Sequence, residues 1–389
     1  MERYLPYGRQ SIDDDDIESV VRVLRSDFLT TGPEISAFER ELCDYTGARN
    51  AVAMSSATAA LHLAVCALEL PVDSIGVTTP NTFVATSNAL LYSDLEPRFV
   101  DIDPRTYLLD PVKLNSAIES FQNDANVSVI LPVHFAGNTE GIERVSEIAR
   151  SRHIPVIEDA AHAIGGRYVD GSRVGSCQYS DMTVFSFHPV KTMTTGEGGA
   201  ITTNDDVLYN RLIDLRTHGI TRDPARLSVN PGPWYYEMQM LGYNYRMTDI
   251  QAALGRSQLR KLDGFVRRRS EIVARYNDAF SDLSWLTTPS GDSNRETGWH
   301  LYVLQFDWDR IGLDRVTVMS RLRDSGVGSQ VLYIPVPLQP YYRERFGYSD
   351  GDFPEAERYY QHSLAIPLYP AMTDDDQRRV IDAVRGLGP

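Results

Sequence analysis

The sequence predicts an α/β protein: a mostly parallel central sheet covered by helices, followed by a smaller C-terminal α/β domain. Three observations predict it. From Asn50 to about Asn204, short apolar segments alternate with helical ones. The short segments are apolar on both faces, as strands sandwiched between helices must be. A long helical stretch at 248–280 then leaves the sheet and leads into a second, shorter alternation. We divide the chain into a large domain at 1–250, including two N-terminal helices, and a linking helix with a small domain at 251–389.

The elements follow in order. Residues 11–25 predict a helix, with Ser11 as its cap and Asp13–Asp16 favouring the positive helix N-terminus. The four adjacent aspartates read as a solvated helix start rather than a metal site. A second helix covers 33–46 and stops near Gly47. Strand and helix then alternate: NAVAMSS with ATAALHLAVCALEL, SIGVTTP with TFVATSNALLYS, EPRFVDI with DPVKLNSAIESFQ, and VSVILPVHF with GIERVSEIARSR. The strands IPVIEDAA, DMTVFSF and GAITTN close the series. Residues 215–245, rich in Gly, Pro and aromatics, predict an ordered functional loop. In the small domain WHLYVLQFDW and VGSQVLYIPV predict strands, and DRVTVMSRLRDSG and DDDQRRVIDAVRGL predict helices.

Composition narrows the function. The chain has 389 residues, 42% hydrophobic and 23% charged, enough to bury a large core. A net charge of −15 argues against a general nucleic-acid binder. The most apolar segment, Ala51–Val72, carries Ser55, Ser56, Thr58, His62 and Glu69, so it reads as a buried strand and helix and not a membrane span. Three widely spaced cysteines make neither a disulfide framework nor a zinc site, and with no signal peptide visible a cytoplasmic setting fits. Of the 38 basic residues only Lys113, Lys191 and Lys261 are lysines, so any lysine chemistry must use one of three side chains. Lys113 and Lys261 read as solvated positions on helices.

The histidines form no metal-binding pair, and neither the phosphate loop nor the dinucleotide fingerprint is present. Four polar clusters fall at predicted strand ends, where ligands bind in such sheets. Ser55–Thr58 opens a helix of small residues, fitting either a plain cap or a phosphate cradle. Asp159, in Glu158–His162, fits either a loop acid or a partner for a buried ring nitrogen. Phe83 fits either the core or a ring-stacking role. The stretch from Ser186 to Gly199 is polar, glycine-rich and holds Lys191. A surface lysine is the ordinary alternative, weakened in a chain that otherwise uses Arg for surface charge. Cradle, stacker, acid and lysine together describe a pyridoxal phosphate site.

At these residues the chain resembles the DegT/DnrJ/EryC/StrS family of nucleotide-sugar aminotransferases. The resemblance spans nearly the whole length. It runs through FLTTGPEISAFERELCDYTG, SSATAALHLA, TPNTFVATSNA, PVHFAGN, IEDAAHAIGG, FSFHPVKTMTTGEGGAITTN, RTHG and LGYNYRMTDIQAALGRSQLRKLD. It implies a fold-type I pyridoxal-phosphate-dependent enzyme, with pyridoxamine phosphate as the cofactor's aminated form. Carried over, Lys191 matches the cofactor-anchoring lysine, Asp159 the acid at the ring nitrogen, and His162 the residue beside the ring hydroxyl. Phe83 matches the stacking aromatic, and Thr58, Ala59 and Ser186 the phosphate cradle. Asn244 matches an asparagine reaching the phosphate from the partner of a homodimer with shared sites. His188, Glu197, Arg246 and Tyr333 are the substrate-side candidates.

The resemblance also implies L-glutamate as amino donor and a nucleotide-linked keto sugar as acceptor. The form H-x-x-K-x-x-T-x-x-E-G-G around Lys191 is similar to members that aminate C4. The loops PWYYEMQMLGYNYRMTDIQAALG and QVLYIPVPLQPYYRERFGY resemble members acting on a UDP-4-keto-6-deoxy-N-acetylhexosamine in a pseudaminic-acid-type pathway. Such members often carry histidine where this chain has Leu332. The alternatives are C4 or C3 amination of another keto sugar, either an Ara4N-type UDP-4-keto-pentose or a dTDP-keto-deoxyhexose. A non-catalytic binding or regulatory protein on the same fold is a remoter one. Sugar dehydratases of this fold replace the lysine with histidine, and Lys191 is present.

Overall fold

In the computed structural model, which describes residues 3–121, 126–289 and 296–388, the first helix, α1 (Asp14–Leu24), is capped by Asp13 and not by Ser11. Asp13 and Asp16 stand three apart and close a reciprocal capping box that a lone serine cannot match. Ser11 instead offers its carbonyl to Gln258. Nor is this helix start simply solvated. Asp16 is buried, and Lys261 Nζ donates to Asp13 Oδ1 and Asp16 Oδ2, both at 2.6 Å. Lys261 is thus a paired structural lysine. Lys113 is paired too, with Asp101 Oδ2 at 3.3 Å and the Ile102 carbonyl at 3.2 Å. In each case the partner is remote in sequence or lies across a turn, beyond the reach of local periodicity.

Helix α2 (Pro33–Thr46) ends where Gly47 takes a left-handed conformation at φ 82°, which glycine adopts without steric cost. Its first amides, at Gly32 and Glu34, donate to the carboxylate of Asp249. Asp249 opens the 32-residue helix that we reach below as α8.

Seven strands build the central sheet: β1 (Asn50–Met54), β2 (Ile75–Thr78), β3 (Glu96–Phe99), β4 (Val127–Ile130), β5 (Ile157–Asp159), β6 (Met182–Ser186) and β7 (Gly199–Thr203). Their spatial order is β1-β7-β6-β5 and β4-β2-β3, and bridges at Ile130–Val156 and Val133–Asp159 join the two halves. All neighbours are parallel except at β7, which is antiparallel to both β1 and β6. Helices α3 (Ala57–Ala67), α4 (Val84–Tyr92), α5 (Pro111–Phe121), α6 (Ile142–Ser151) and α7 (Asp206–Arg216) follow the strands. Gln122, the last residue of the predicted helix containing α5, lies outside the described residues.

Helix α8 (Asp249–Phe280) begins with a Thr248–Gln251 capping box. It feeds two cores. Leu259, Leu262 and Val266 pack with the sheet and α2, whereas Ile272, Val273, Tyr276 and Phe280 pack with the C-terminal unit. That unit holds an antiparallel sheet of Leu286–Thr287, Tyr302–Phe306 and Ser363–Ile366, with helices at Arg315–Asp324, Pro354–His362 and Asp374–Arg385. VGSQVLYIPV is not a strand. The chain makes single bridges at Val327 and Gln330, then turns away past Pro335 and Pro337, which cannot donate to a ladder. Its Leu332 and Tyr333 cover a cavity instead. Among the described residues, no helix is long and apolar enough to cross a membrane.

Candidate active site

The carboxyl ends of the parallel strands open onto a cavity of about 370 Å³. β1 delivers Ser56, Ala57 and Thr58; β2 delivers Thr82 and Phe83; β5 delivers Asp159, Ala161 and His162; β6 delivers Ser186, His188, Val190 and Lys191. Glu197 enters just before β7, and Tyr7, Leu332 and Tyr333 close the far side.

Asp159 is 5% exposed and held from two directions. Thr86 Oγ1 donates to Oδ2 at 2.6 Å, and the Ala161 amide donates to Oδ1 at 3.1 Å. Beneath it the neighbouring Glu158 is fully buried, and accepts from Tyr168 and Ser180 while pairing with His134. Burial alone would raise the Glu158 carboxyl, but these bonds bring it below the usual carboxylate range. One strand end therefore presents two acids, one locked in the protein interior and one turned to the cavity.

Lys191 faces the same cavity, and among the described residues its Nζ makes no hydrogen bond or ion pair. Burial lowers its ammonium to about 8, against an opposing pull from Asp159. The His162 ring accepts the Ala136 amide at Nδ1 (3.2 Å) and meets Tyr333 Oη through Nε2 (3.3 Å). An accepting Nδ1 places the ring proton on Nε2. Burial, then repulsion from Lys191, holds this imidazole well below its ordinary range, so it is neutral.

The cavity residues fit pyridoxal phosphate. The first amides of α3, at Ala57 and Thr58, lie at a helix N-terminus, and the Ser186 hydroxyl stands beside them, a setting suited to a phosphate. A Cβ at Gly199 would lie 2.6 Å from the Ala57 nitrogen, so only glycine lets β7 pass this close to the cradle. Phe83, a large apolar ring, is 57% exposed at the cavity wall and is not core. The carboxylate and the unpaired amine complete the set.

Thr58, Phe83, Asp159, His162, Ser186, His188, Lys191, Glu197 and Tyr333 are thus brought together. Three other candidates are not. Ala59 lies off the cavity, because the Ser56 hydroxyl that caps α3 already takes its amide at 3.1 Å. Asn244 is exposed and bridges Thr217, and Arg246 bridges Met54, so both run along the outer side of β1 and α7. Within one chain neither reaches the cavity. Sequence reasoning missed Tyr7 and Thr86. Thr86 stands one helical turn after Phe83 and was open to discovery, whereas Tyr7 arrives from a distant terminus with no local signal.

A model of the DegT/DnrJ/EryC1/StrS aminotransferase family matches residues 10–385. The spore coat polysaccharide biosynthesis protein SpsC of Bacillus subtilis is 40% identical over 385 residues, covering 99% of this chain and 97% of that protein. Among solved structures, Helicobacter pylori PseC, an aminotransferase involved in pseudaminic acid biosynthesis, superposes with a TM-score of 0.90 at 28% identity, covering 99% of both chains. The PLP form of the putative sugar aminotransferase Spr1654 from Streptococcus pneumoniae superposes with a TM-score of 0.89 at 29% identity, covering 99% of this chain and 98% of that one. The chain belongs to the DegT/DnrJ/EryC1/StrS aminotransferase family, whose members depend on pyridoxal 5′-phosphate.

Proposed function

We propose that this aminotransferase moves an amino group from L-glutamate to C4 of a UDP-4-keto-6-deoxy-N-acetylhexosamine, in a pseudaminic-acid-type pathway of the cytoplasm. The observation that carries the chemistry is the unpaired Lys191 amine in one cavity with the doubly held Asp159. The likeness to PseC over 99% of both chains supports the sugar.

Pyridoxal phosphate, when bound, supplies an electron sink for the charge left as a carbon-bound proton departs. The chain's own residues do the rest. The α3 amides and Ser186 would hold the phosphate, and Phe83 would stack on the ring. Thr86 and Ala161 hold the Asp159 carboxylate, which would partner the ring nitrogen. With its ammonium near 8, Lys191 both accepts and donates a proton close to neutral pH, which suits a general acid–base. His162 offers Nε2–H beside the ring hydroxyl, and Tyr7, Leu332 and Tyr333 exclude water.

The acceptor enters past His188 and Glu197. A chain of net charge −15 repels a nucleotide diphosphate at long range, though salt screens this beyond about 10 Å at 0.1 M. Local cations must hold it, and Arg246 is the candidate. The loop before Arg246 exposes Trp234 (70%) and Leu241 (76%). That apolar surface supports a homodimer in which Asn244 and Arg246 serve the partner's site. The 40% identity to SpsC favours a second reading, C4 or C3 amination of a different nucleotide keto sugar. A panel of UDP- and dTDP-linked keto sugars, each with glutamate, separates the two. Turnover of the UDP-N-acetylhexosamine with the new amine at C4 by product NMR supports the first. Amination at C3, or turnover of other sugars alone, rejects it.

A further inference from the structure

Behind His162, away from the cavity, stand two more basic groups. The His300 ring packs on the His162 ring with centroids 4.3 Å apart. Arg269, on α8, is fully buried, and its Nη1 donates to the carbonyls of Trp299 (3.2 Å), His300 (3.2 Å) and Leu368 (2.8 Å). Among the described residues, Arg269 Nε and Nη2 and His300 Nδ1 are buried without a partner. So among the described residues three carbonyls and no carboxylate bond this guanidinium.

A buried charge without a counter-charge is costly, and a second cation beside it would cost more. Burial holds the His300 imidazole well below its ordinary range, and repulsion from His162, Lys191, Arg269 and His188 adds to it. Of the two carboxylates lining the cavity, Asp159 is turned to Thr86 and Ala161, and Glu197 enters just before β7.

We propose that Arg269 and His300 are a positioning pair for His162. Arg269, bonded to the His300 carbonyl, disfavours a second cation beside it, and the His300 ring, tilted 43° against His162, fixes His162 with Nδ1 on the Ala136 amide and Nε2–H toward Tyr333. The assignment rests on the His162 role given above. Its test does not, because it reads the protein without cofactor or substrate.

Ring ¹⁵N spectra of the cofactor-free chain are recorded from about pH 8 down to about 5, the span in which histidine ordinarily charges, with His162→Gln and His300→Asn to assign the signals. In the wild type both rings stay neutral through the series and His162 shows a single Nε2–H tautomer. In Arg269→Met the His300 ring begins to protonate within that span, since loss of a neighbouring positive charge favours protonation. Arg269→Lys, which keeps the charge, restores the wild-type titration. If Arg269→Met does not fold, His300→Asn decides: His162 then shows both tautomers. A charged His300 in the wild type at neutral pH, a titration unchanged in Arg269→Met, or a single unaltered His162 tautomer in His300→Asn overturns the proposal.

Discussion

Lys261 and Lys191 belong to the same sheet-covering half of the molecule, yet their surroundings differ in kind. At the junction of α1 and α8, Lys261 is closed off by Asp13 and Asp16, and nearby Arg256 is closed off by Glu34 and Glu41. At the strand ends, among the described residues, the Lys191 amine has no partner, and Asp159 is held by a hydroxyl and an amide that leave its charge uncompensated. The difference teaches how to read charge in this fold. Of these two lysines, the structural one is neutralised where it stands, and the functional one waits for a ligand.

The largest effect is expected at Lys191. Lys191→Ala removes the proton carrier, so amino transfer falls by about 10⁴-fold, the upper range for a positioned acid–base. Single-turnover conversion checks this, and a loss under tenfold would equate Lys191 with an ordinary surface lysine. Asp159→Asn comes next. Removing one member of a buried charge pair costs roughly 3–5 kcal/mol, so cofactor retention drops by about two to four orders of magnitude. Equilibrium dialysis against pyridoxal phosphate reads the drop.

A pH series sharpens the contrast further. Only the neutral amine captures an aldehyde, and burial brings the Lys191 ammonium down to about 8. Capture of pyridoxal phosphate by the cofactor-free protein should slow by about tenfold per unit below that pH and level off above it. Asp159 raises this lysine, so Asp159→Asn should move the midpoint to lower pH. A midpoint that rises instead contradicts this pull of Asp159 on Lys191. The smallest effect belongs to Lys261→Met. It leaves the buried Asp16 short of one donor, costing about 1–3 kcal/mol of stability by urea denaturation, while amino transfer per folded chain stays unchanged.

The sheet and the strand-end clusters were legible in the sequence because they depend on local patterning. Two-sided apolar runs mark most of these strands, though β3 alternates with Glu96 and Arg98 half-buried, and polar residues directly after the strands mark the cavity. Helix α8 was legible from Thr248 to Phe280 for the same reason. Long-range partners were not. Nothing near Lys261 or Lys113 in sequence announced their carboxylates, so both read as solvated, and Ser11 could be told from Asp13 only by the capping box with Asp16. The segment at 327–336 has a strand's composition, but it leaves the sheet edge to cover the cavity. Tyr7 joins the site through tertiary packing alone.

The central claim is that, of three lysines, only the one without a structural partner anchors the cofactor. Borohydride reduction of the protein loaded with pyridoxal phosphate, followed by peptide mapping, tests it most directly. The account predicts the pyridoxyl label on Lys191 alone. A label on Lys113 or Lys261 would contradict it.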